Sequence, residues 1–219
     1  MVELIHGLRA QDVSANLEAV HERLAAAGRG AGEVQVLAAV KYLPGEELAA
    51  LAEGGITLVG ENRAQELVRK AGEHPYFTWD FIGALQSRRV PLLLPYVRYI
   101  HSVASDSALA QLARHGTADT RILVEVNVAG EAGKSGIDPR ELPAFLERCP
   151  VHVAGLMTMP PLVRDPEQNR RHFAALRELA EAHGLAELSM GTSQDYGVAA
   201  EEGATIVRLG SLLYRRSAA

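Results

Sequence analysis

Apolar runs that favour β-structure alternate with amphipathic stretches along most of this chain. The first amphipathic stretch, residues 10–27, carries Val13, Leu17, Val20 and Leu24 on one face, and this spacing predicts a helix. Eight apolar runs then predict strands, near residues 34–41, 56–60, 79–85, 98–103, 121–128, 151–158, 187–191 and 205–210. Seven helix-like stretches separate them, near residues 45–53, 62–72, 87–95, 106–115, 139–148, 167–183 and 195–202.

This alternation predicts parallel strands, because a crossover helix must return the chain between them. Eight such units predict an α/β fold, a (β/α)8 barrel of the TIM type, with residues 10–27 as an extra N-terminal helix. An open, doubly wound sheet is the alternative. No linker or shift in composition divides the chain, so residues 1–219 are expected to form a single domain.

The composition predicts a full apolar core and argues against several classes of partner. Apolar residues make up 47% of the chain, and the formal net charge is −5, so we expect no surface for nucleic acid or an anionic membrane. The N-terminal residues contain no apolar signal core, and no apolar run is long enough to span a bilayer. Cys149 is the single cysteine, which suits a reducing cytosol. A cytoplasmic location is therefore expected.

Lys41 stands at the end of the first predicted strand, where a charged side chain is costly to bury. Only three of the 22 basic residues are lysines, namely Lys41, Lys70 and Lys134. Arginine serves elsewhere, and arginine stays protonated in proteins, whereas lysine can lose its proton and act as an amine. The position of Lys41 therefore suggests a chemical role, against the alternative of a strand-end lysine that reaches water.

Two glycine-containing loops follow the last two predicted strands, in the sequences SMGTS at 189–193 and RLGS at 208–211. Backbone N–H groups in such loops bind phosphate, and barrels commonly bind phosphate after strands 7 and 8. Arg208 lies within the last predicted strand and is expected to face the barrel interior. Its partner is predicted to be Glu61, Glu125 or a ligand.

An amine and a phosphate site on one barrel rim suit a phosphorylated carbonyl compound. Pyridoxal 5′-phosphate and a ketose phosphate bound by a Schiff-base aldolase both fit these residues. The sequence NVAGEAGKSG at 127–136 is not a nucleotide-binding P-loop, because Val128 occupies a required glycine position. The eight histidines have no metal-binding spacing, so we expect no metal.

Several segments in order resemble the pyridoxal phosphate homeostasis protein family, whose members are barrels similar to the N-terminal domain of alanine racemase. They are AAVKYLP, LVGENRAQEL, WDFIGALQS, IHSVAS, VEVNVAGEAGKSGI, GLMTM, LSMGTSQDY and TIVRLGSLLY, between about residues 34 and 214. The resemblance implies that pyridoxal 5′-phosphate is the cofactor and that Lys41 forms the internal aldimine with it. It also implies that Asn62 lines the cofactor face, that Arg208 faces the pyridine nitrogen and that Lys134 is a second lysine near the site.

The resemblance further implies which residues bind the cofactor phosphate. Ser189, Gly191 and Ser193 match the phosphate-binding turn of the family. Gly210 and Ser211 match its second half. Both groups coincide with the two glycine-containing loops that the residues alone suggest.

The sequence departs from the family pattern at three places. Val40 and Tyr42 flank Lys41 where serine and threonine are usual. Asp80 replaces a usual histidine, and the pair at 88–89 is Arg-Arg instead of asparagine and lysine. Arg215 follows the last aromatic residue where glycine is common. None of these changes removes a cofactor ligand named above.

The expected function is to hold pyridoxal 5′-phosphate for storage or delivery in vitamin B6 homeostasis, with pyridoxal-phosphate-dependent apoenzymes as possible recipients. A racemase of amino acids is the alternative. Two-base racemisation needs an acid or base on each face of the cofactor, and Lys41 supplies only one. Tyr42, Tyr196 and Tyr214 are not obviously placed to supply the other, so little catalysis is expected. A monomer is the expected oligomeric state.

Overall fold

The computed structural model describes residues 4–216, which form eight β-strands and eight α-helices. The strands are β1 Gln35–Ala39, β2 Leu58–Glu61, β3 Thr78–Phe81, β4 Tyr99–Val103, β5 Arg121–Glu125, β6 His152–Met157, β7 Glu187–Thr192 and β8 Ile206–Leu209. The helices are α1 Ala10–Ala26, α2 Leu48–Glu53, α3 Ala64–Glu73, α4 Val90–Leu93, α5 Asp106–His115, α6 Leu142–Glu147, α7 Arg170–Ala182 and α8 Tyr196–Glu201. Short 3₁₀ turns precede α2, α4, α6 and α7.

The eight strands close into a parallel barrel in sequence order, with β8 paired to β1. Gln35 is opposite Ile206, and Ala38 is opposite Leu209, so the first and last strands meet along most of their length. The predicted (β/α)8 barrel is therefore confirmed, and the open-sheet alternative is wrong. The pattern of apolar runs predicted the strands correctly because both faces of a barrel strand are buried, which makes each strand a continuous apolar run.

Helix α1 is the predicted N-terminal helix, and it completes the outer ring. It packs against α2 and α8 on either side of the place where a helix after β8 would lie. Val13, Val20 and Leu24 are buried there, whereas Leu17 is only partly buried. A Cβ at Gly54 would lie 2.6 Å from the Val13 side chain, so glycine permits the close contact of α1 with the chain after α2.

The barrel interior contains an apolar cluster beside a chain of hydrogen-bonded polar side chains. The apolar side chains that fill it are Leu37, Leu58, Tyr99, Leu123, Ala154, Met157 and Ile206. Several predicted strands extend too far toward the carboxyl end; β1, for example, ends at Ala39 and not at residue 41. The residues beyond each strand leave the ladder and form the rim, where active sites of such barrels lie.

No helix of residues 4–216 is long and apolar enough to cross a membrane. Within the same residues, His, Cys, Asp and Glu side chains form no group of three or more that could hold a metal ion.

Candidate functional site

A cavity of about 490 Å³ opens at the carboxyl end of the barrel. Six of the eight predicted site residues line it, and they are Lys41, Asn62, Ser193, Arg208, Gly210 and Ser211. They come from loops and strand ends after β1, β2, β7 and β8, so the barrel topology brings together residues that are far apart in the chain. Ser189 and Gly191 do not line this cavity.

Lys41 presents an amine that has no polar partner. Its side chain is half-buried, and Nζ lies 4.8 Å from the centroid of the exposed Tyr42 ring. Among residues 4–216, no hydrogen-bond acceptor or carboxylate pairs with this nitrogen. An unpaired amine on a cavity wall is free to react with an electrophile in that cavity.

The backbone around Lys41 is held far more firmly than its amine. The carbonyl of residue 39 accepts a hydrogen bond from Tyr214 Oη at 3.0 Å, and that of residue 40 accepts one from Lys70 Nζ at 2.8 Å. The carbonyl of Lys41 accepts from Arg63 Nη2 at 3.4 Å, and that of residue 42 accepts from the backbone N–H of Ile5 at 2.9 Å. These carbonyls need side-chain or loop donors because strand β1 has ended and buried polar groups require partners. The position of Lys41 is therefore set by residues from three different parts of the chain: the segment before α1, helix α3 with its N-cap, and the segment after β8.

Asn62 is fixed on the neighbouring strand end by Glu61. The Oε1 atom of Glu61 accepts hydrogen bonds from the N–H groups of Asn62 (2.7 Å) and Arg63 (3.2 Å). A Cβ at Gly83 would lie 2.0 Å from the Asn62 carbonyl, so the chain after β3 packs directly on this residue. The side-chain oxygen of Asn62 is buried without a hydrogen-bond partner in the described chain, and Asn62 itself lines the cavity.

The loop after β7 leaves backbone donors unused. Gly191 has a φ of 89°, and a Cβ there would lie 2.6 Å from Ala199 Cβ, so both its backbone conformation and the close contact with α8 require glycine. Ser193 Oγ accepts the N–H of Gly210 at 3.3 Å and joins the two rim loops. Within the described chain, the N–H groups of Ser193, Gln194 and Ser211 have no acceptor, and all three residues line the cavity.

Arg208 lies in the barrel interior, as predicted, and its partners are not carboxylates. Nη1 donates to the carbonyl (2.7 Å) and Oγ (2.6 Å) of Ser189, and Nη2 donates to the carbonyl of Thr158 (2.9 Å). No ion pair joins it to Glu61 or Glu125 within the part of the chain that is described. Burial lowers the pKa of Arg208 to about 10, which leaves it protonated at neutral pH. Its Nε–H has no acceptor there and remains available at the cavity wall.

Ser189 lies inside the barrel and not on the rim, which corrects the position inferred for it from the resemblance. It is fully buried, and its Oγ lies 2.9 Å from His101 Nδ1 in addition to accepting from Arg208. His101 Nε2 lies 3.0 Å from Asp80 Oδ2, and Asp80 accepts two hydrogen bonds from Arg98. Ser189 is thus a support for Arg208.

Two of these supporting groups were missed at the sequence level. Lys70 received no role, yet it lies on the buried face of α3 with Ala64, Leu67 and Ala71. That helical spacing was a usable signal, because a lysine within an apolar helix face must find a buried partner. Asp80 was noted only as a departure from the family, and its link to His101 depends on the pairing of separate strands.

Lys134 belongs to the loop between β5 and α6, and its amine lies 2.6 Å from Glu131 Oε1. Lys134 and Arg208 line both the main cavity and an adjoining one of about 290 Å³. Glu125 also lines the smaller cavity, where burial raises the pKa of its carboxyl despite the hydrogen bond from Ser135 Oγ at 2.5 Å. The structure thus brings Lys134 to the cavity, although its amine is already paired.

The three departures from the family pattern leave the cavity intact. The carbonyl of Val40 accepts from Lys70, the ring of Tyr42 lies near the Lys41 amine, and Asp80 joins the interior hydrogen-bond chain. Arg215 lies outside the cavity, and its carbonyl accepts from Asn16 Nδ2 at 2.8 Å.

Comparison with known proteins gives a consistent family. The family model described as "Alanine racemase, N-terminal domain" matches residues 15–217. A pyridoxal phosphate homeostasis protein of Aquifex aeolicus is 38% identical over 213 residues, with 90% of this chain and 93% of that protein covered. One of Deinococcus radiodurans is 38% identical over 211 residues, with 92% and 99% covered.

Solved structures extend this similarity to the fold. PipY of Synechococcus elongatus, solved with PLP bound, has a TM-score of 0.78 at 29% identity and covers 93% of this chain and 100% of its own. Alanine racemase from Corynebacterium glutamicum has a TM-score of 0.72 at 15% identity, and the match covers 96% of this chain and 62% of the racemase. The latter likeness concerns the fold alone.

Proposed function

Because this chain belongs to the pyridoxal phosphate homeostasis protein family, we propose that it binds pyridoxal 5′-phosphate (PLP) and holds it on Lys41 for vitamin B6 homeostasis. PipY, a structural neighbour over the full length of its own chain, binds PLP. The observation that carries the proposal is the single cavity that combines the unpaired amine of Lys41 with unpaired backbone N–H groups.

The free groups on the cavity wall match the functional groups of PLP. The Lys41 amine suits the aldehyde, and the N–H groups of Ser193, Gln194 and Ser211 suit the phosphate. Arg208 Nε suits the ring nitrogen, and the unpaired oxygen of Asn62 suits a hydroxyl donor. Ser189 and Gly191 serve indirectly in this proposal, since one holds Arg208 and the other shapes the loop.

When bound, PLP supplies an aldehyde that condenses with an amine and a ring that withdraws electrons. Arg208 stays protonated and donates to its neighbours, so it cannot protonate a ring nitrogen as a carboxylic acid would. The ring therefore withdraws electrons less strongly here than in sites with a carboxylate at that position. This environment favours holding the cofactor over catalysis at an amino-acid substrate.

No described tyrosine supports the racemase alternative. Tyr214 Oη donates to the Ala39 carbonyl, and burial raises its pKa well above the ordinary value. Burial also raises the pKa of Tyr196, which disfavours its use as a base. Tyr42 lies beside Lys41 itself. The Schiff-base aldolase has no feature in its favour that PLP binding does not explain as well.

The first experiment is an absorption spectrum of the purified, PLP-loaded protein before and after borohydride, followed by peptide mass spectrometry. We expect a visible band that borohydride abolishes, with the label on Lys41. Lys41→Ala should lose the reducible label but keep weak, phosphate-driven binding. Lys41→Arg is the matched control, because it keeps the charge and cannot condense. A reducible label that persists in Lys41→Ala and disappears in Lys134→Ala would contradict the assignment.

The proposal also includes four further properties of the protein. They are delivery of PLP to PLP-dependent apoenzymes, action as a monomer, a single domain over residues 1–219 and a cytoplasmic location. The single cysteine, Cys149, supports a reducing location, and burial raises the pKa of its thiol and keeps it unreactive. Sedimentation velocity tests the oligomeric state. Reactivation of a PLP-free aminotransferase by the loaded protein, at a rate above that of spontaneous PLP release, tests delivery.

A further inference from the structure

A buried ion pair lies directly behind the cavity, between β2 and α3. Lys70 Nζ lies 2.6 Å from Glu61 Oε2, and the two side chains are 1% and 0% exposed. Lys70 is among the largest fully enclosed side chains of the described residues. Neither residue lines the cavity, so the proposed function leaves the pair without a role.

Each member of the pair also holds the backbone beside a cavity residue. Lys70 Nζ donates to the Val40 carbonyl at 2.8 Å, which belongs to the peptide group just before Lys41. Glu61 Oε1 accepts the N–H of Asn62 at 2.7 Å. One ion pair therefore connects the backbone of the reactive lysine with that of the residue opposite on the next strand.

The stability of the fold does not by itself require an ion pair between positions 61 and 70. Leu67 and Ala71 lie on the same buried helix face, and apolar side chains of similar volume often replace buried ion pairs without loss of stability. An apolar side chain at position 70 would leave the Val40 carbonyl with a single donor, the N–H of Leu43 at 3.1 Å, at the point where β1 has ended. A lysine ammonium has three N–H donors, enough for both this carbonyl and the carboxylate.

From this geometry we infer that Lys70 and Glu61 are positioning residues, which orient Lys41 toward the bound aldehyde and hold the backbone of Asn62 beside it. The inference rests on the proposed function, because it assigns a role within the same site. The amine of Lys41 has no polar contact of its own, so its direction depends on the backbone that the pair holds. The phosphate loops contact neither Lys70 nor Glu61, so phosphate-driven binding should be independent of the pair.

The test separates the covalent step from non-covalent binding. The rate of linkage formation with PLP is measured by stopped-flow absorbance at saturating cofactor, and binding of pyridoxine 5′-phosphate, which has no aldehyde, is measured by calorimetry. We expect Lys70→Met to slow linkage formation about tenfold or more, since small misplacements of a reacting group are costly. The dissociation constant for pyridoxine 5′-phosphate should stay within about threefold of wild type, as expected for a group remote from the phosphate loops.

Leu67→Ala is the control for lost stability, because it removes buried volume from the same helix and leaves the ion pair and its hydrogen bonds to Val40 and Asn62 in place. It should form the linkage at the wild-type rate. Lys70→Arg should recover part of the rate lost in Lys70→Met, because arginine restores a charged donor. Equal rates in Lys70→Met and wild type, or equal slowing in Lys70→Met and Leu67→Ala, would overturn the inference.

If Lys70→Met does not fold, the double variant Lys70→Met/Glu61→Gln removes both charges together and answers the same question. A wild-type rate in that variant also overturns the inference. The outcome is distinct from failure of the proposed function, in which wild-type protein itself would form no linkage with PLP. A wild-type protein that forms the linkage, together with fully active pair variants, refutes only the positioning role.

Discussion

The two edges of the cavity are built on opposite principles. We call residues 39–42 with 61–62 the amine edge, and residues 191–195 with 208–211 the phosphate edge. At the amine edge, every carbonyl of residues 39–42 accepts a hydrogen bond. At the phosphate edge, the N–H groups of Ser193, Gln194 and Ser211 have no acceptor in the described chain.

Under the proposed function, this difference follows from what each edge would bind. Covalent attachment requires one nitrogen at one point, so the backbone that carries Lys41 must be fixed. A phosphate group accepts several hydrogen bonds, so its site must keep donors unpaired until the anion arrives. Satisfied polar groups thus indicate positioning, and unsatisfied ones indicate binding.

The two edges also differ in where their support comes from. Lys70 reaches the amine edge from α3, outside the barrel. Arg208 at the phosphate edge is supported from inside the barrel by Ser189, which lies next to His101 and, through it, Asp80. Burial opposes ionisation of Asp80, but the hydrogen bonds from His101 and Arg98 outweigh it and lower the pKa of this carboxyl.

The largest expected effect is a loss of unfolding free energy when the ion pair behind the amine edge is broken. Lys70→Met leaves the Glu61 carboxylate buried without a cation, which typically costs about 3–5 kcal/mol of unfolding free energy. For a chain of this length, the melting temperature should fall by roughly 10 °C. Thermal unfolding measures this, with Arg69→Met as the control, since the ion pairs of Arg69 are largely exposed. Equal melting temperatures for the two variants would contradict a buried, interacting pair.

A smaller loss is expected when the interior chain is broken. Asp80→Asn removes the charge but keeps an amide oxygen that can still accept from Arg98 or His101, so we expect a loss of about 2 kcal/mol of unfolding free energy. Urea unfolding measures the loss. Because the two networks share no residue, the effects of Asp80→Asn and Lys70→Met should add to within about 0.5 kcal/mol. Strong non-additivity would show that the two edges are not independent.

The third effect is the dependence of stability on pH. Burial outweighs the hydrogen bond to Asp80 and lowers the pKa of His101 below its ordinary 6.5, so the folded protein keeps this ring neutral. The unfolded chain takes up a proton near pH 6.5, and stability therefore falls as pH decreases through that value, by about 1 kcal/mol between pH 7.5 and 5.5.

Urea unfolding at these two pH values tests the sign and size of this loss. His101→Gln should flatten the dependence, because glutamine does not titrate. Glu125 has the opposite effect on the pH dependence of stability. Burial raises the pKa of its carboxyl, so its contribution to the free energy of unfolding decreases as pH rises above the ordinary carboxyl pKa. A slope that is unchanged in His101→Gln would exclude this ring as the source.

The smallest effect concerns the phosphate edge alone. Ser193→Ala removes the acceptor of a half-buried, 3.3 Å hydrogen bond from the N–H of Gly210 and a hydroxyl of a residue that lines the cavity. Affinity for pyridoxine 5′-phosphate should fall about fivefold, because one hydrogen bond contributes about 1 kcal/mol to the binding free energy. The linkage rate at saturating PLP should not change, in contrast to Lys70→Met. Ser107→Ala, at an exposed position of α5, is the matched control; a slower linkage step in Ser193→Ala would contradict the division between the edges.

The barrel and most of the cavity wall could be predicted from local signals. Each strand is a separate apolar run, and each rim residue such as Lys41 or Gly210 directly follows such a run, so strand order was enough to bring them together. Ser189 was misplaced for a specific reason. Strand β7 continues to Thr192, three residues past Ser189, so residues of the same motif divide between the barrel interior and the rim.

The sequence by itself determined the eight-stranded barrel and the placement of Lys41 and the two glycine-containing loops at strand ends, because hydrophobic period and strand ends are local properties of the chain. Only the tertiary structure decided that Lys70 pairs with Glu61 behind Lys41, and that Asp80 and His101 lie behind Arg208. The physical reason is that a buried charge must find a partner, but the partner is chosen by which strands and helices become neighbours on closure of the barrel.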